Sequence, residues 1–215
     1  MDKNAITIAL PKGRLLAECT ELLEKVGLTA AEDLESTRKL MVPSVDGTAR
    51  FIIVRDKDLP PYVDYGAADM GFVGKDVLME SERDILEPVD LGFGYCRIVV
   101  AEPAGAVRGG GTTWGHSRVA TKFPGIAARH FAARGEQVEI IPLYGSIELA
   151  PLVGLADRIV DLVSTGETLR QNNLVEVEQV TEVTARLVVN RASLKIKADR
   201  LVPLIEKIRS IIEKR

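Results

Sequence analysis

Apolar residues alternate along this chain between two spacings. Short runs rich in Ile and Val indicate buried strands, and they read ITIAL, RFIIV, MGFVG, CRIVVA, RVATK, VEIIPL and RIVDLV. Between these runs, apolar residues recur every three or four positions, which is typical of helices. The alternation predicts an α/β protein with much parallel sheet.

The most regular helical pattern follows the first strand run. Its apolar positions are Leu15, Leu16, Cys19, Leu22, Leu23 and Val26, and Gly27 follows as a stop signal. Further helices are predicted over residues 126–133, over residues 147–153 and from residue 199 to the end of the sequence. The last of these has one apolar face, formed by Leu201, Leu204, Ile205, Ile208, Ile211 and Ile212.

Composition narrows the function classes. The sequence has 215 residues, 46% of them hydrophobic, enough to bury the core of one large domain or two small ones. With 28 Lys and Arg against 31 Asp and Glu, we expect no nucleic-acid partner, and any anion site must be local. The apolar run before Pro11 is too short for a signal peptide or membrane span, so we expect a cytoplasmic protein without membrane contact.

The cysteines and glycines add no metal or nucleotide motif. Cys19 and Cys96 are far apart, and only His116 and His130 supply imidazoles, so we expect buried thiols and no protein-built metal site. The glycine-rich residues 102–117 predict a surface loop or flap. Because residues 109–111 lack the lysine and hydroxyl of a Walker loop, a nucleotide cradle is not favoured there.

The most informative stretch is DRIVDLVSTGETL, residues 157–169, where an apolar strand run ends in hydroxyls and a glycine. A turn of this kind offers backbone N–H groups to a phosphate. Gly166 would let the backbone approach the ligand, and Asp161 could hold ribose hydroxyls. The added hydroxyl donors would be Ser164, Thr165 and Thr168. An alternative is structural, because Ser164 and Glu167 have the spacing of a helix capping box.

Cations at the start of the first helix form a second candidate. Lys12 and Arg14 flank Gly13, and the helix dipole disfavours positive charge at this end. An anionic ligand would explain the pair, although solvent could equally screen it. Arg38 and Lys39 form another cationic pair further along the chain.

Two further strand ends carry candidate residues. Arg55 follows the RFIIV run, at the position where ligands gather in open α/β sheets. Alternatively, Arg55 pairs at the surface with Asp56 or Asp58. In LYGSIELAPLVGLAD, the residues after a strand run are Gly145, Ser146 and Glu148, which predict a second anion-binding turn.

The segments LPKGRL, STRKL, RDKDLPPYVDYGAADMGFVGKDVL, LYGSIELAPLVGLAD and DLVSTGETL, in this order and spacing, resemble the ATP phosphoribosyltransferase family. The resemblance covers essentially the whole chain. It implies transfer of a phosphoribosyl group from phosphoribosyl pyrophosphate to N1 of ATP, with release of pyrophosphate, in the first step of histidine biosynthesis. The chain is similar to the short form of the family, which lacks a C-terminal regulatory domain.

The resemblance also implies a fold. We expect two lobes like those of a type II periplasmic binding protein, with mixed and parallel sheets, flanking helices and an active site in the cleft between the lobes. Lobe one would comprise residues 1–92 and 184–215, and lobe two residues 93–183. The segment LVEVEQVTEVTARLVVN would be the returning crossover.

Residue roles follow by matching motifs. The resemblance places Asp161 on the ribose and residues 164–168, including Glu167, around its phosphate. It makes Arg14 and Arg38 the groups that neutralise departing pyrophosphate. The other implied substrate-binding residues are Lys12, Gly13, Arg55, Gly145, Ser146 and Glu148. The implied cofactor is Mg²⁺, held mainly by substrate phosphates rather than by protein ligands.

The resemblance implies protein partners as well. We expect a homodimer of catalytic subunits, with Arg38 acting across its interface, inside a hetero-oligomer with a regulatory subunit that resembles histidyl-tRNA synthetase. The rival hypothesis from another class is a two-lobed sensor that binds a phosphorylated ligand without transforming it.

Overall fold

The computed structural model describes residues 5–106 and 117–214. His116, the glycines at 109–111 and most of the predicted loop at 102–117 lie outside the described residues. The chain forms two compact units, one of Met1–Gly94 with Thr184–Arg215 and the other of Tyr95–Val183. The family resemblance implied that residues 93 and 94 belong to lobe two, but they lie in the first unit.

Eleven strands and eight α-helices are formed by the described residues, with a short 3-10 turn at Asp56–Asp58. The strands are β1 Ile6–Pro11, β2 Met41–Pro43, β3 Ala49–Val54, β4 Met70–Gly74, β5 Leu86–Asp90, β6 Cys96–Pro103, β7 Ser117–Thr121, β8 Val138–Pro142, β9 Arg158–Val163, β10 Leu174–Val183 and β11 Ala185–Val189. The helices are α1 Leu16–Lys25, α2 Leu59–Asp64, α3 Lys75–Ser81, α4 Pro124–Ala133, α5 Leu149–Leu152, α6 Glu167–Gln171, α7 Arg191–Ile196 and α8 Ala198–Ile212.

The first unit is built on a six-stranded sheet with the order β2-β3-β1-β4-β11-β5. Strand β1 runs parallel to β3 and β4, whereas the other pairs are antiparallel. All six residues of β1 are buried, as expected for a central strand covered on both faces. Ile8 and Leu10 face one apolar cluster with α1 and α8, and Ala9 faces another with α2 and α3.

The second unit is built on a five-stranded sheet with the order β10-β6-β9-β7-β8. Strand β7 is parallel to β8 and β9, so the carboxyl ends of these three strands meet at one edge. Strands β6 and β10 complete the sheet in antiparallel pairs. A core cluster packs β9 residues such as Ile159 and Val163 against α5 and α6 through Ala150 and Leu169.

The α/β class with mixed sheets is confirmed, and all seven predicted strand runs are strands. The predicted helix over 147–153 is shorter, at Leu149–Leu152, because Ser146 takes a positive φ of 49° before it and Gly154 follows with a φ of 71°. The predicted crossover is two strands, β10 and β11, which belong to different sheets. No helix in the described ranges combines the length and apolarity that crossing a membrane requires.

Candidate functional site

The turn between β9 and α6 forms a pocket in the second unit. Its volume is about 220 Å³, and it is lined by Glu148 and by residues 161–169. Seven of the predicted site residues therefore share one pocket, namely Glu148, Asp161, Ser164, Thr165, Gly166, Glu167 and Thr168. The pocket lies at the edge where the parallel strands end, which is where α/β sheets bind ligands.

Asp161 is the buried charge of this pocket, with only 8% of its surface exposed. Its Oδ1 accepts a hydrogen bond of 2.7 Å from the backbone N–H of Leu162, and the Lys122 ammonium lies 3.4 Å from the same oxygen. Burial raises the pKa of Asp161, Lys122 lowers it, and the nearby Glu148 carboxylate raises it again, so the net direction is upward. Asp161 is thus a carboxylate whose ionisation depends on its neighbours.

The turn that follows β9 presents exposed polar groups. Gly166 has a φ of 76°, a left-handed conformation that glycine adopts without steric cost. Ser164, Thr165 and Thr168 are exposed. Within residues 5–106 and 117–214, no acceptor bonds the backbone N–H groups of Thr165 and Gly166. These N–H groups and hydroxyls are donors available to an anion.

The capping-box interpretation of Ser164 and Glu167 is wrong. The cap of α6 is Gly166, and the helix begins at Glu167, so Ser164 lies outside the capping position. The Glu167 carboxylate instead bonds Arg170 at 2.7 Å and Gln171 at 3.0 Å. This leaves the Ser164 hydroxyl unused by the helix.

The second predicted anion turn, after β8, contributes one residue to the same pocket. Glu148 is the cap residue of α5 and lines the pocket. Gly145 and Ser146 are exposed residues of the turn itself and are not part of the lining. The structure thus brings Glu148 to Asp161 but keeps Gly145 and Ser146 outside the pocket.

A separate pocket of about 530 Å³ lies in the first unit. Its lining includes the predicted residues Lys12, Gly13 and Arg38, together with Lys39 and Glu35. Lys39 is paired with Glu32. By contrast, Lys12 and Arg38 are exposed and have no ion pair among the residues described. The pocket therefore has cationic groups for which a ligand would supply the opposite charge.

Arg14 and Arg55 do not line this pocket. Arg14 is exposed at the turn before α1, and its guanidinium donates a hydrogen bond of 3.4 Å to the carbonyl oxygen of Gly94. Arg55 is exposed directly after β3. The alternative surface pairing of Arg55 with Asp56 or Asp58 is not formed in the described part of the chain.

Lys122 was missed by sequence reasoning. It is the residue that follows β7, and its ammonium lies 3.4 Å from Oδ1 of Asp161. A lysine after a buried strand run is a usable signal. The missing information was the order of the strands, because only the adjacency of β7 and β9 brings Lys122 to Asp161.

The profile of the family described as HisG, ATP phosphoribosyltransferase, matches residues 55–210. A relative from Geobacter sulfurreducens, named ATP phosphoribosyltransferase 2, is 59% identical over 202 residues, which cover 94% of this chain and 95% of the relative.

Two solved structures are similar to this chain. A chain of the ATP phosphoribosyl transferase (HisG:HisZ) complex from Thermotoga maritima is 36% identical, with a TM-score of 0.84 over 98% of this chain and 100% of that chain. The periplasmic aliphatic sulphonate binding protein SsuA from Escherichia coli is only 11% identical, with a TM-score of 0.60 over 96% of this chain and 72% of that chain. The second similarity shows the fold alone, and it confirms the predicted periplasmic-binding-protein-like class.

Proposed function

This chain belongs to the ATP phosphoribosyltransferase family, and we propose that it performs that family's reaction with the residues of the pocket after β9 and with cations of the first unit. The reaction is the first step of histidine biosynthesis, a pentosyl transfer. The phosphoribosyl group of phosphoribosyl pyrophosphate moves to N1 of ATP. The bond from ribose C1 to the pyrophosphate oxygen breaks, the bond from C1 to N1 forms, and pyrophosphate leaves.

The observation that carries the proposal is the pocket made by Glu148 and residues 161–169. We assign the ribose 5-phosphate group to the turn after β9, where the N–H groups of Thr165 and Gly166 and the exposed hydroxyls are donors. We assign the ribose hydroxyls to Asp161, because an ionised carboxylate only accepts hydrogen bonds and can take two hydroxyl donors together.

The leaving group needs positive charge. Pyrophosphate gains negative charge as the C1 bond breaks, and preorganised guanidinium groups stabilise such charge more in the transition state than in the ground state. We assign this role to Arg14 and Arg38. Lys12 and Arg55 add to the field, and Lys12 and Arg38 support the assignment because they are exposed cations without carboxylate partners among the residues described.

The attacking group is a ring nitrogen of ATP, so the protein need not supply a nucleophile. An SN2-like or oxocarbenium-like displacement requires N1 and C1 to be held close together and in line, and positioning of this kind can account for a large part of a rate enhancement. In this mechanism the side chains bind, orient and neutralise charge.

We propose Mg²⁺ as the cofactor. The described residues contain no cluster of three or more metal-ligating side chains. Mg²⁺ does not need one, because it keeps several waters and binds through substrate phosphates with one or two carboxylates. We assign the ion to the substrate phosphates and to water, and we assign no protein ligand to it. When bound, the ion would neutralise part of the pyrophosphate charge.

We also propose the assembly and its location. A chain 36% identical to this one comes from a HisG:HisZ complex, so we propose a hetero-oligomer with a regulatory subunit resembling histidyl-tRNA synthetase. We further propose a homodimer of this chain, with Arg38 at its interface. ATP and phosphoribosyl pyrophosphate are cytoplasmic metabolites, and we propose that the protein works there.

The test is an assay with ATP, phosphoribosyl pyrophosphate and Mg²⁺, in which phosphoribosyl-ATP is followed by absorbance with pyrophosphatase present. We expect product from this chain, with its regulatory partner if needed. Arg38→Ala should lower kcat about 100-fold. The matched control is Arg191→Ala, an exposed arginine paired with Asp84, which should keep full turnover. Saturable binding without product, even with the partner present, would instead support the sensor hypothesis.

A further inference from the structure

Lys122 is held beside Asp161 by the backbone of the sheet. Thr121, the last residue of β7, pairs with Val160 of β9, so the next residues on the two strands are Lys122 and Asp161. The buried Thr121 hydroxyl donates a 2.7 Å hydrogen bond to the Val160 carbonyl oxygen. It also accepts one of 2.9 Å from the Phe123 N–H. The turn that carries Lys122 is therefore tied to the strand that carries Asp161.

The Lys122 side chain is half-buried, with 32% of its surface exposed. Its ammonium lies 5.0 Å from the centroid of the Phe123 ring, and Phe123 is itself buried. Although its ammonium is 3.4 Å from Asp161, Lys122 is not among the residues that line the pocket as described. Its position is thus suited to acting on Asp161 rather than on a ligand.

Asp161 needs a cation. Burial penalises its charged form, and the charged group that approaches it from α5 is another carboxylate, Glu148. On the β6 side its strand neighbour is the apolar Val99. Glu167 of α6, also in the pocket lining, has its carboxylate bonded to Arg170 and Gln171. Besides the backbone N–H of Leu162, Lys122 is therefore the described group that opposes these effects, and it is the one that carries charge.

We propose that Lys122 is a positioning residue of the transfer reaction, which keeps the Asp161 side chain ionised so that it can accept hydrogen bonds from the ribose hydroxyls. This inference rests on the proposed function. A protonated Asp161 would carry a donor on one oxygen and would lose acceptor capacity towards a diol. Lys122 thus extends the pH range over which the pocket binds phosphoribosyl pyrophosphate.

The test compares Lys122→Met with the wild-type chain by the Kd for phosphoribosyl pyrophosphate, measured by calorimetry from acid to alkaline pH. Methionine keeps an unbranched apolar stem but lacks the ammonium. At about pH 6, Kd should rise about tenfold relative to wild type, and at about pH 8.5 the ratio should be below about twofold. Because both proteins bind the same ligand, the ratio of their Kd values at each pH is not affected by ionisation of the ligand's phosphates. Lys122→Arg, which keeps the charge, should restore the wild-type pH profile.

The matched control is Arg158→Met. Arg158 is the first residue of β9, three residues before Asp161, and it is paired with Glu136 and stacked over Phe131. Its loss removes a half-buried ion pair from the same strand, so it reports general damage to the unit. It should shift Kd equally at every pH, without the acid-specific loss.

Two results would overturn the inference. One is an unchanged Kd ratio in Lys122→Met across the pH range. The other is a loss of affinity that is the same at all pH values, which would mean direct ligand contact or a structural role. If Lys122→Met fails to fold, Lys122→Arg and Lys122→Gln are compared instead, each combined with Asp161→Asn. The Kd for phosphoribosyl pyrophosphate is again measured across the pH range. With no carboxylate left to ionise, these two variants should bind alike.

The proposed function fails in a different way. If the wild-type chain with its partner gives no phosphoribosyl-ATP, the transfer assignment is wrong, whatever the pH profile of binding. If the wild-type chain is active and Lys122→Met keeps the wild-type profile, only the role of Lys122 is wrong.

Discussion

Each of the two units holds a buried aspartate beside a lysine, and the two pairs differ in the distance between ammonium and carboxylate. In the first unit, Asp69 is 5% exposed, and its Oδ2 accepts 2.7 Å bonds from the Lys197 ammonium and the Thr7 N–H. In the second unit, Asp161 is 8% exposed, and its ammonium partner is more distant, at 3.4 Å.

The two pairs also have different surroundings. Lys197 also donates to the Ala5 carbonyl oxygen at 3.2 Å, so the Asp69 pair ties the start of β1 to the residue that precedes α8. Asp161 instead lines an open pocket beside a second carboxylate. We infer that the first pair stabilises the fold, whereas the second holds a charge available for a ligand.

The largest expected effect separates the two pairs by stability. Lys197→Met leaves Asp69 buried without its cation, and removing one partner of a buried pair should lower the free energy of unfolding by about 3 kcal/mol. Lys122→Met should cost less than about 1 kcal/mol, because Lys122 is looser and more exposed. Urea denaturation of both variants measures the difference, and equal losses would remove the distinction.

The next effect separates the two aspartates by catalysis. Asp161→Asn should lower kcat/KM for phosphoribosyl pyrophosphate about 30-fold, about 2 kcal/mol, because a charge-assisted acceptor for ribose hydroxyls is lost. Asp69→Asn should reduce the folded fraction but leave kcat/KM per folded molecule near the wild-type value. Steady-state kinetics at saturating ATP, normalised to the folded fraction by circular dichroism, give both numbers. A similar loss in both variants would argue that Asp161 acts structurally.

Local sequence signals predicted the turn after β9 well. The Ile and Val run of β9, the hydroxyls and Gly166 are adjacent in the chain, so their chemistry can be read without knowing the fold. The capping box failed because Gly166, in a left-handed conformation, takes the cap position that Ser164 was expected to occupy. Sequence spacing does not reveal which of two competing residues will start a helix.

The two ion pairs could not be predicted because they are non-local. Lys122 and Asp161 come together only because β7 lies beside β9, and the strand order of a sheet is set by packing rather than by any local pattern. Asp69 and Lys197 are 128 positions apart and flank β4 and α8 without a motif. The family resemblance named the substrate turn, but it did not name either lysine.

A smaller effect compares matched glycines in the two units. Gly66 has a φ of 73° and Gly166 a φ of 76°, and a Cβ at either would make only ordinary contacts, beginning at 3.7 Å and 3.5 Å. Alanine at each should therefore cost about 1 kcal/mol from backbone strain alone. Only Gly166→Ala should also raise KM for phosphoribosyl pyrophosphate, by about fivefold, since the turn must approach a phosphate. Thermal denaturation and kinetics on both variants test this, and a raised KM in Gly66→Ala would contradict it.

The smallest effect is a pH dependence of opposite sign in the two units. The pKa of Asp161 is raised in the folded state, so between the unfolded value, about 4, and the folded value the folded chain binds more protons. Stability therefore falls as pH rises through that window, and above the folded pKa the full loss of stability is reached. Asp161→Asn should be slightly more stable than wild type at neutral pH, and the gap should close in acid.

Asp90 in the first unit supplies the contrast. Burial opposes its ionisation, but the Thr184 hydroxyl, the Gly92 N–H and Arg186 together lower its pKa. Its contribution is present above the unfolded value and is lost as pH falls through the folded value. Asp90→Asn should be less stable than wild type at neutral pH and should converge with it in acid. Urea midpoints of the three proteins from about pH 2.5 to about pH 8 measure both signs. If Asp161→Asn behaved like Asp90→Asn, the second unit's carboxylate would be a stabilising group and not a charge kept for a ligand.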